Sequence, residues 1–169
     1  MIKTLVRKLF NLPGHDNIGV ADWLEIKQIR AGKVIYHKVY GWRHTPTETG
    51  FAAVADLVGN VTPIVAFTYL ELGTGTTAEN AAHTALVTPV TDSGLARAAA
   101  TMSLVQTTVA GDTLQFYKDW TATGVKILRE IGAFNAAADG VMLGRKLYDA
   151  ITTASTDHVQ MTYKFKFSA

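Results

Sequence analysis

With 169 residues, 48% of them hydrophobic and 18% charged, the chain is long enough and apolar enough to fold around one core, which excludes a fully disordered protein. It contains no cysteine, so disulfide scaffolds, thiolate zinc sites and cysteine nucleophiles are excluded as well. No run approaches the roughly 20 apolar residues of a membrane span, and Arg7 and Lys8 interrupt the first apolar stretch too early for a signal peptide.

The formal net charge is only +2, but it is unevenly distributed along the sequence. Residues 1–43 contain eight basic and three acidic side chains, whereas residues 44–169 contain eight basic and eleven acidic ones. We therefore divide the chain into a basic N-terminal arm over residues 1–45 and a body over residues 46–169. Such an arm is either an ordinary solvated surface or a segment attracted to an acidic partner.

The first predicted element in the arm is a short amphipathic helix. Residues 1–12 place five apolar side chains at helical spacing, and Pro13 and Gly14 then break the pattern. The apolar face of this helix packs either on the protein's own core or on a neighbouring molecule, and a strand is a candidate at residues 34–40. We expect the arm to contact a partner protein through Lys3, Leu5, Arg7, Lys8, Phe10 and Trp23.

The first half of the body has a mixed pattern. Residues 50–58 repeat apolar side chains at helical spacing, and Gly59 is a suitable residue to end that helix. Residues 64–72 are typical of a buried strand, and a glycine-rich loop follows at residues 73–77. The last threonine of this loop is a candidate cap for a second short helix at about residues 78–86.

From Gly94 onward the sequence is typical of β-structure. Residues 95–109 form one long candidate strand, and glycine-containing turns such as Asp139-Gly140 separate the strands that follow. In the last strand, residues 159–167, apolar and polar side chains alternate, as in an antiparallel strand with one solvated face. Strands joined by short turns indicate an antiparallel β-sandwich, jelly-roll or immunoglobulin-like in type, with one or two short helices.

Catalytic and cofactor sites are not indicated. Residues 73–78 match the relaxed dinucleotide pattern G-x-G-x-x-A, but that motif acts within a βαβ unit and the downstream pattern is antiparallel. The five histidines show no metal-binding spacing, and no serine lies in a nucleophile elbow. We expect one of the neighbours Arg129 and Glu130 to face solvent and the other to pair across the strand. We therefore predict a non-enzyme with no cofactor, no metal site and no catalytic residue.

Nucleic acid and membranes are not predicted partners either. Basic residues of the arm are interleaved with aromatic ones, a pattern that can build a platform for single-stranded nucleic acid. A net charge of +2 is nevertheless well short of a strongly basic footprint. The aromatic residues concerned are Trp23, Tyr36, Tyr40 and Trp42.

Several short motifs follow one another in the body. They are the Gly-Thr-Gly-Thr-Thr loop at 73–77, Thr-Ala-Leu at 84–86, G-x-x-R at 94–97, E-x-G-x-F at 130–134 and G-x-x-L-x-R at 140–145. In this order and spacing, and together with the alternating last strand, they resemble small virion proteins of tailed bacteriophages. The resemblance covers about residues 50–169. It implies a capsid cement or decoration protein, or a small tail or fibre component, and it implies no catalytic residue.

We therefore expect a structural virion protein that binds the major capsid protein on the outer surface of the phage head, bridges neighbouring coat subunits and stabilises the shell. We expect it to be a homotrimer at local symmetry axes, assembled in the host cytoplasm. One alternative is a tail, neck or fibre-attachment component of the same particle. A second alternative, from another class, is a carbohydrate-binding β-sandwich at the host surface.

Overall fold

The structure, a computed structural model, describes residues 19–43 and 46–168, and these form nine strands and one helix. Element labels follow chain order. The elements are β1 (Gly19–Arg30), β2 (Lys33–Arg43), α1 (Glu48–Gly59), β3 (Tyr69–Gly73), β4 (Ala98–Ala99), β5 (Thr101–Val105), β6 (Thr113–Thr121), β7 (Ile127–Phe134), β8 (Met142–Thr152) and β9 (His158–Ser168).

The strands form two antiparallel sheets. Sheet A has the order β2-β1-β9-β6-β5, and sheet B has the order β4-β3-β7-β8. Apolar side chains from both sheets meet in one core, which includes Leu24 and Phe116 from sheet A and Leu70 and Ile131 from sheet B. The predicted fold class, an antiparallel β-sandwich, is therefore confirmed. The helix predicted at residues 1–12 lies outside the described residues.

The centre of sheet A is β9, the strand with the clearest sequence pattern. It pairs with β1 on one side and with β6 on the other. Val159, Met161, Tyr163 and Phe165 are fully buried, and the residues between them are partly exposed. The period of two places all four side chains in the core, and this prediction is confirmed.

Residues 19–43, which we assigned to the arm, belong to the sandwich. Strand β1 runs antiparallel along β9 from the Gly19–Ser168 pair to the Ile29–His158 pair, and β2 returns along β1. The turn between them has positive φ at Ala31 and Gly32, the conformation that favours a two-residue hairpin. Because β1 supplies hydrogen bonds to the central strand, it is part of the body, and the boundary at residue 45 is corrected to Gly19.

Helix α1 confirms the helix predicted at residues 50–58. It begins directly after its N-cap Thr47, whose side chain accepts a hydrogen bond from the Gly50 backbone N–H at 3.0 Å. It ends where Asn60 adopts the left-handed conformation, one residue beyond the glycine that we expected to stop it. Gly50 packs against the backbone of Leu143, where a Cβ atom would overlap the carbonyl group. This close approach seats α1 on β8.

Two other sequence predictions are wrong. Residues 78–86 contain no helix; residues 74–97 form an irregular segment, here called the crossing loop. Its first part binds Glu130 on the outer face of sheet B, whereas Val90 and Leu95 are buried in the core between the sheets. Residues 95–109 are not one strand, because β4 pairs with β3 in sheet B whereas β5 pairs with β6 in sheet A. The chain therefore changes sheets at Ala100. The buried strand expected at 64–72 is shorter and begins at Tyr69.

Candidate binding surface

The outer face of sheet A carries two tryptophans beneath lysines, a group here called the Trp-Lys patch. The Lys164 Nζ lies 4.4 Å from the centre of the Trp23 ring, and the Lys166 Nζ lies 5.4 Å from the centre of the Trp42 ring. Trp23 is directly opposite Lys164 in the pairing of β1 with β9, so the strand register builds this contact. The patch is flat, aromatic and cationic.

The patch borders the edge of sheet A. Strand β2 pairs only with β1 among the described strands, and nine of its eleven residues are exposed. Its sequence, KVIYHKVYGWR, contains three permanent cations and no acid. The exposed apolar residues are Val34, Ile35, Val39 and Trp42, with exposed fractions of 57, 49, 46 and 37%.

A long strand edge with exposed apolar side chains can pair with another chain by strand addition. The lysines of β2 oppose pairing of two copies of this strand, because like charges would face each other. An acidic partner strand would remove this repulsion. The β2 edge and the Trp-Lys patch therefore form one candidate surface for an acidic protein segment.

Of the six predicted partner contacts, only Trp23 lies within the described residues. It is on the outer face of sheet A, partly exposed, and belongs to the Trp-Lys patch. The β2 edge was not predicted as a docking site, although the absence of acidic residues between positions 33 and 43 could have indicated it. The remaining five, which lie outside the described residues, are Lys3, Leu5, Arg7, Lys8 and Phe10.

The motifs behind the phage resemblance converge on one buried ion pair. Glu130 of the E-x-G-x-F motif accepts a 2.6 Å hydrogen bond from the Arg145 Nε of the G-x-x-L-x-R motif, and both side chains are at most 1% exposed. The same carboxylate accepts backbone N–H groups of Gly75 at 3.0 Å and Thr88 at 2.9 Å. Burial alone would raise the pKa of Glu130, but the Thr88 N–H and the Arg145 guanidinium outweigh it, so this pKa is lowered. Glu130 therefore pairs across the strand, as predicted for one member of the Arg129–Glu130 pair.

A second motif contact fixes the other end of the crossing loop. Arg97 of the G-x-x-R motif donates to Glu71 at 2.9 Å, and its guanidinium stacks 3.7 Å from the centre of the Phe134 ring. Leu86 of the Thr-Ala-Leu segment packs against Phe134 and Met142. The motifs thus hold the crossing loop on sheet B, and their physical role is in the fold.

Other buried carboxylates also have structural partners. Asp22 accepts hydrogen bonds from the Lys146 Nζ and the Tyr163 hydroxyl, each at 2.7 Å, inside the core between the sheets. Asp157 accepts from Gln28 and Arg30 at the β1 end of the sandwich. These groups already use their lone pairs in the fold, so they do not form an exposed pair for acid-base chemistry.

A polar cavity of about 430 Å³ lies between the edges of β2 and β8. The Tyr40 hydroxyl accepts the Asp149 backbone N–H at 2.8 Å, and the Glu79 carboxylate accepts the Leu147 N–H at 2.6 Å, so side chains cap this part of the β8 edge. Tyr148 also lines the cavity, and its buried hydroxyl has no partner among the described groups. Burial raises the pKa of Tyr148 well above its usual value.

Within residues 19–43 and 46–168, no group of three or more potential ligands is placed to hold a metal ion. The histidines of this part of the chain are dispersed: His37 contacts Glu25, His83 contacts Arg145 and His158 contacts Asp119. No helix in the same part is long and apolar enough to cross a membrane.

Comparisons with protein-family models, with curated proteins and with solved structures find no match for this chain. The resemblance to phage virion proteins thus stays a prediction from the motifs. The β2 edge and the Trp-Lys patch are therefore the main structural indications of function.

Proposed function

We propose that this chain is a non-enzymatic structural protein of a tailed-bacteriophage virion, a cement or decoration protein of the head. It binds the major capsid protein on the outer surface of the shell, bridges neighbouring coat subunits and stabilises them, and it does so as a homotrimer at local symmetry axes. The motif resemblance suggests the class of particle. The β2 edge suggests how the protein is attached.

The observation that carries the proposal is the exposure of β2. An edge strand with four exposed apolar side chains and three cations, of which Lys38 is already paired with Asp149, offers backbone hydrogen bonds, apolar area and positive charge. An extended, acidic segment of a coat subunit fits this chemistry. Individual contacts of this kind are weak, and many copies on one shell add up through multivalency.

The protein's rigidity supports the same role. Buried ion pairs fix the crossing loop and join the two sheets, so the binding edge is carried on a preorganised scaffold. No disulfide contributes to this scaffold, because the sequence has no cysteine. Such a scaffold folds in a reducing cytoplasm before assembly.

The test is to mix the purified protein with capsids that lack it, image the particles and count bound copies. Saturable binding on the order of hundreds of copies per particle, with a higher melting temperature of the shell, supports the cement role. A few to a dozen copies at one vertex would move the protein to the tail or neck. No binding to any part of the particle would refute the proposal.

Two variants locate the contact. Ile35→Asp and Val39→Asp add negative charge to the β2 edge, and we expect each to lower occupancy about tenfold or more. The matched control is Leu104→Asp, which changes a residue 70% exposed on β5, the opposite edge of sheet A. Equal losses from all three variants would show that β2 has no special role.

A carbohydrate-binding role is the second candidate, and the Trp-Lys patch favours it. Trp42 is 37% exposed, and a sugar ring that displaces the Lys166 ammonium from the Trp42 ring can stack there, while Lys164 and Lys166 can bind acidic groups of a glycan. The test is a glycan array with the wild type and with Trp42→Ala. Binding that this substitution abolishes supports the role, and an array without binding contradicts it.

A further inference from the structure

An apolar pocket of about 290 Å³ opens at the end of the sandwich beside α1. Nearly all of its exposed lining consists of apolar atoms. It is large enough to hold one or two large side chains. The lining includes Val54, Leu57, Phe67, Met102, Leu114 and Phe167.

Apolar surface continues outside the pocket. In α1, Leu57 is 39% and Val58 is 86% exposed, and in the segment that leaves the helix Val61 and Val65 are 81 and 67% exposed. Four exposed apolar residues within nine positions, next to an apolar pocket, form a surface that is unfavourable in water unless something covers it. The question is which segment does so.

The chain's own first 18 residues join the sandwich at this place. Val20 pairs with Phe167, which lines the pocket, and Gly19 pairs with Ser168. The described chain therefore enters sheet A at Gly19, beside the pocket, and the stretch from residue 10 to this point can span up to about 30 Å. That length is sufficient to place residues 1–12 over α1.

The chemistry of the two segments is complementary. Residues 1–12 carry seven apolar side chains and three cations without an acid, whereas α1 carries Glu48 and Asp56 without a cation. An apolar face can fill the pocket while the cations lie near the acids of α1 or point outward. The apolar residues at helical spacing are Ile2, Leu5, Val6, Leu9 and Phe10.

We propose that residues 1–12 dock through their apolar face into this pocket of the same molecule. Leu5 and Phe10 then cover the body instead of contacting a partner, while Lys3, Arg7 and Lys8 remain available to an acidic surface. This inference is independent of the proposed function, because it concerns contacts within one chain.

Methionine methyl NMR tests the docking directly. The chain has four methionines; Met102 lines the pocket, while Met142 and Met161 are fully buried elsewhere. Deletion of residues 1–14 is expected to move the Met102 methyl resonance and leave those of Met142 and Met161 in place. The two unmoved signals show that the shortened chain still folds.

A full-length variant separates docking from chain length. Leu5→Asn combined with Phe10→Asn keeps all cations and is expected to reproduce the Met102 shift of the deletion. Amide exchange over residues 54–68 should become about tenfold faster in both, because the removal of one or two buried apolar side chains exposes this region. In the wild type the position of the Met102 resonance and the amide exchange rates over residues 54–68 should not depend on protein concentration.

Two results would overturn the proposal. An unchanged Met102 resonance in the deletion variant would mean that residues 1–14 do not cover the pocket. A Met102 resonance that depends on concentration, together with a dimer in light scattering, would place the segment in the pocket of a neighbouring copy.

Discussion

Glu130 and Arg145 lie on the neighbouring strands β7 and β8, with Oε2 and Nε 2.6 Å apart and almost no exposed surface. The pair does more than neutralise two charges, because the same carboxylate accepts backbone N–H groups of the crossing loop, and the Arg145 Nη2 donates to the Thr77 carbonyl at 2.9 Å. One ion pair thus connects sheet B to 24 residues that lack regular structure of their own except for isolated bridges.

Glu130→Gln should be strongly destabilising. The substitution keeps the shape and one acceptor oxygen, but it leaves the Arg145 guanidinium buried without its counter-charge, which typically costs about 3–5 kcal/mol. The free energy of unfolding, measured by urea denaturation at neutral pH, checks this. A loss below about 1 kcal/mol would show that the crossing loop, and not the charge, holds Arg145 in place.

Gly75→Ala tests the contact from the side of the loop. A Cβ atom at Gly75 would overlap the Glu130 carboxylate, so either the loop or the ion pair has to move, at a cost of about 1–3 kcal/mol. Gly41→Ala is the matched control, because a Cβ atom there has no neighbour within 4 Å. Urea denaturation gives the free energy of unfolding of both variants. Equal values would contradict the close contact of Gly75 with the Glu130 carboxylate as a stabilising feature.

Strands, turns and helices whose sequence pattern lies within a few neighbouring residues could be predicted. Strand β9 alternates because one face is buried, and Asp139 and Gly140 have the positive φ angles expected of a turn. The connection from β7 to β8 nevertheless spans residues 135–141 and is longer than the predicted two-residue loop. Helix α1 was predictable from its spacing. In each case the information lies within about ten neighbouring residues.

The parts that distant partners determine could not be predicted. The inward face of β1 includes Asp22 and Gln28, which interrupt the apolar pattern and are buried only because Lys146 and Asp157 meet them from 124 and 129 residues away. Likewise, the helix expected at 78–86 does not form. A nine-residue helix is marginal alone, and groups of this segment bind distant partners instead: the Glu79 carboxylate accepts the Leu147 N–H, and the Ala81 carbonyl accepts the Glu48 N–H. The β2 edge was missed for the same reason, since strand order is not local.

Acid should weaken the protein partly through Asp157. Its hydrogen bonds with Arg30, the Ala154 backbone N–H and Gln28 outweigh burial and hold the pKa of Asp157 far below the usual value of about 3.9. A lowered folded-state pKa stabilises the protein above the unfolded-state pKa, and this contribution is lost as pH falls from about 4 through the folded-state value.

Asp157→Asn should therefore be less stable than the wild type at pH 7, and the difference should shrink below about pH 4. Thermal unfolding across this pH range measures it. Asp139→Asn, in an exposed turn whose left-handed backbone suits asparagine, is the control that should follow the wild type throughout. A constant gap between the Asp157→Asn variant and the wild type down to acid pH would exclude this carboxylate as a source of acid sensitivity.

Tyr148→Phe should leave stability unchanged or raise it by up to about 1 kcal/mol. The Tyr148 hydroxyl is buried at the cavity between β2 and β8 without a partner among the described groups, and an unsatisfied buried hydroxyl carries a desolvation cost that phenylalanine avoids. Tyr40→Phe is the contrasting variant, because it removes the acceptor of the Asp149 backbone N–H and should cost about 1 kcal/mol. Urea denaturation of both variants gives the comparison. If Tyr148→Phe were the more damaging change, the hydroxyl would have a partner such as a bound water or ligand, and the cavity would become the next site to examine.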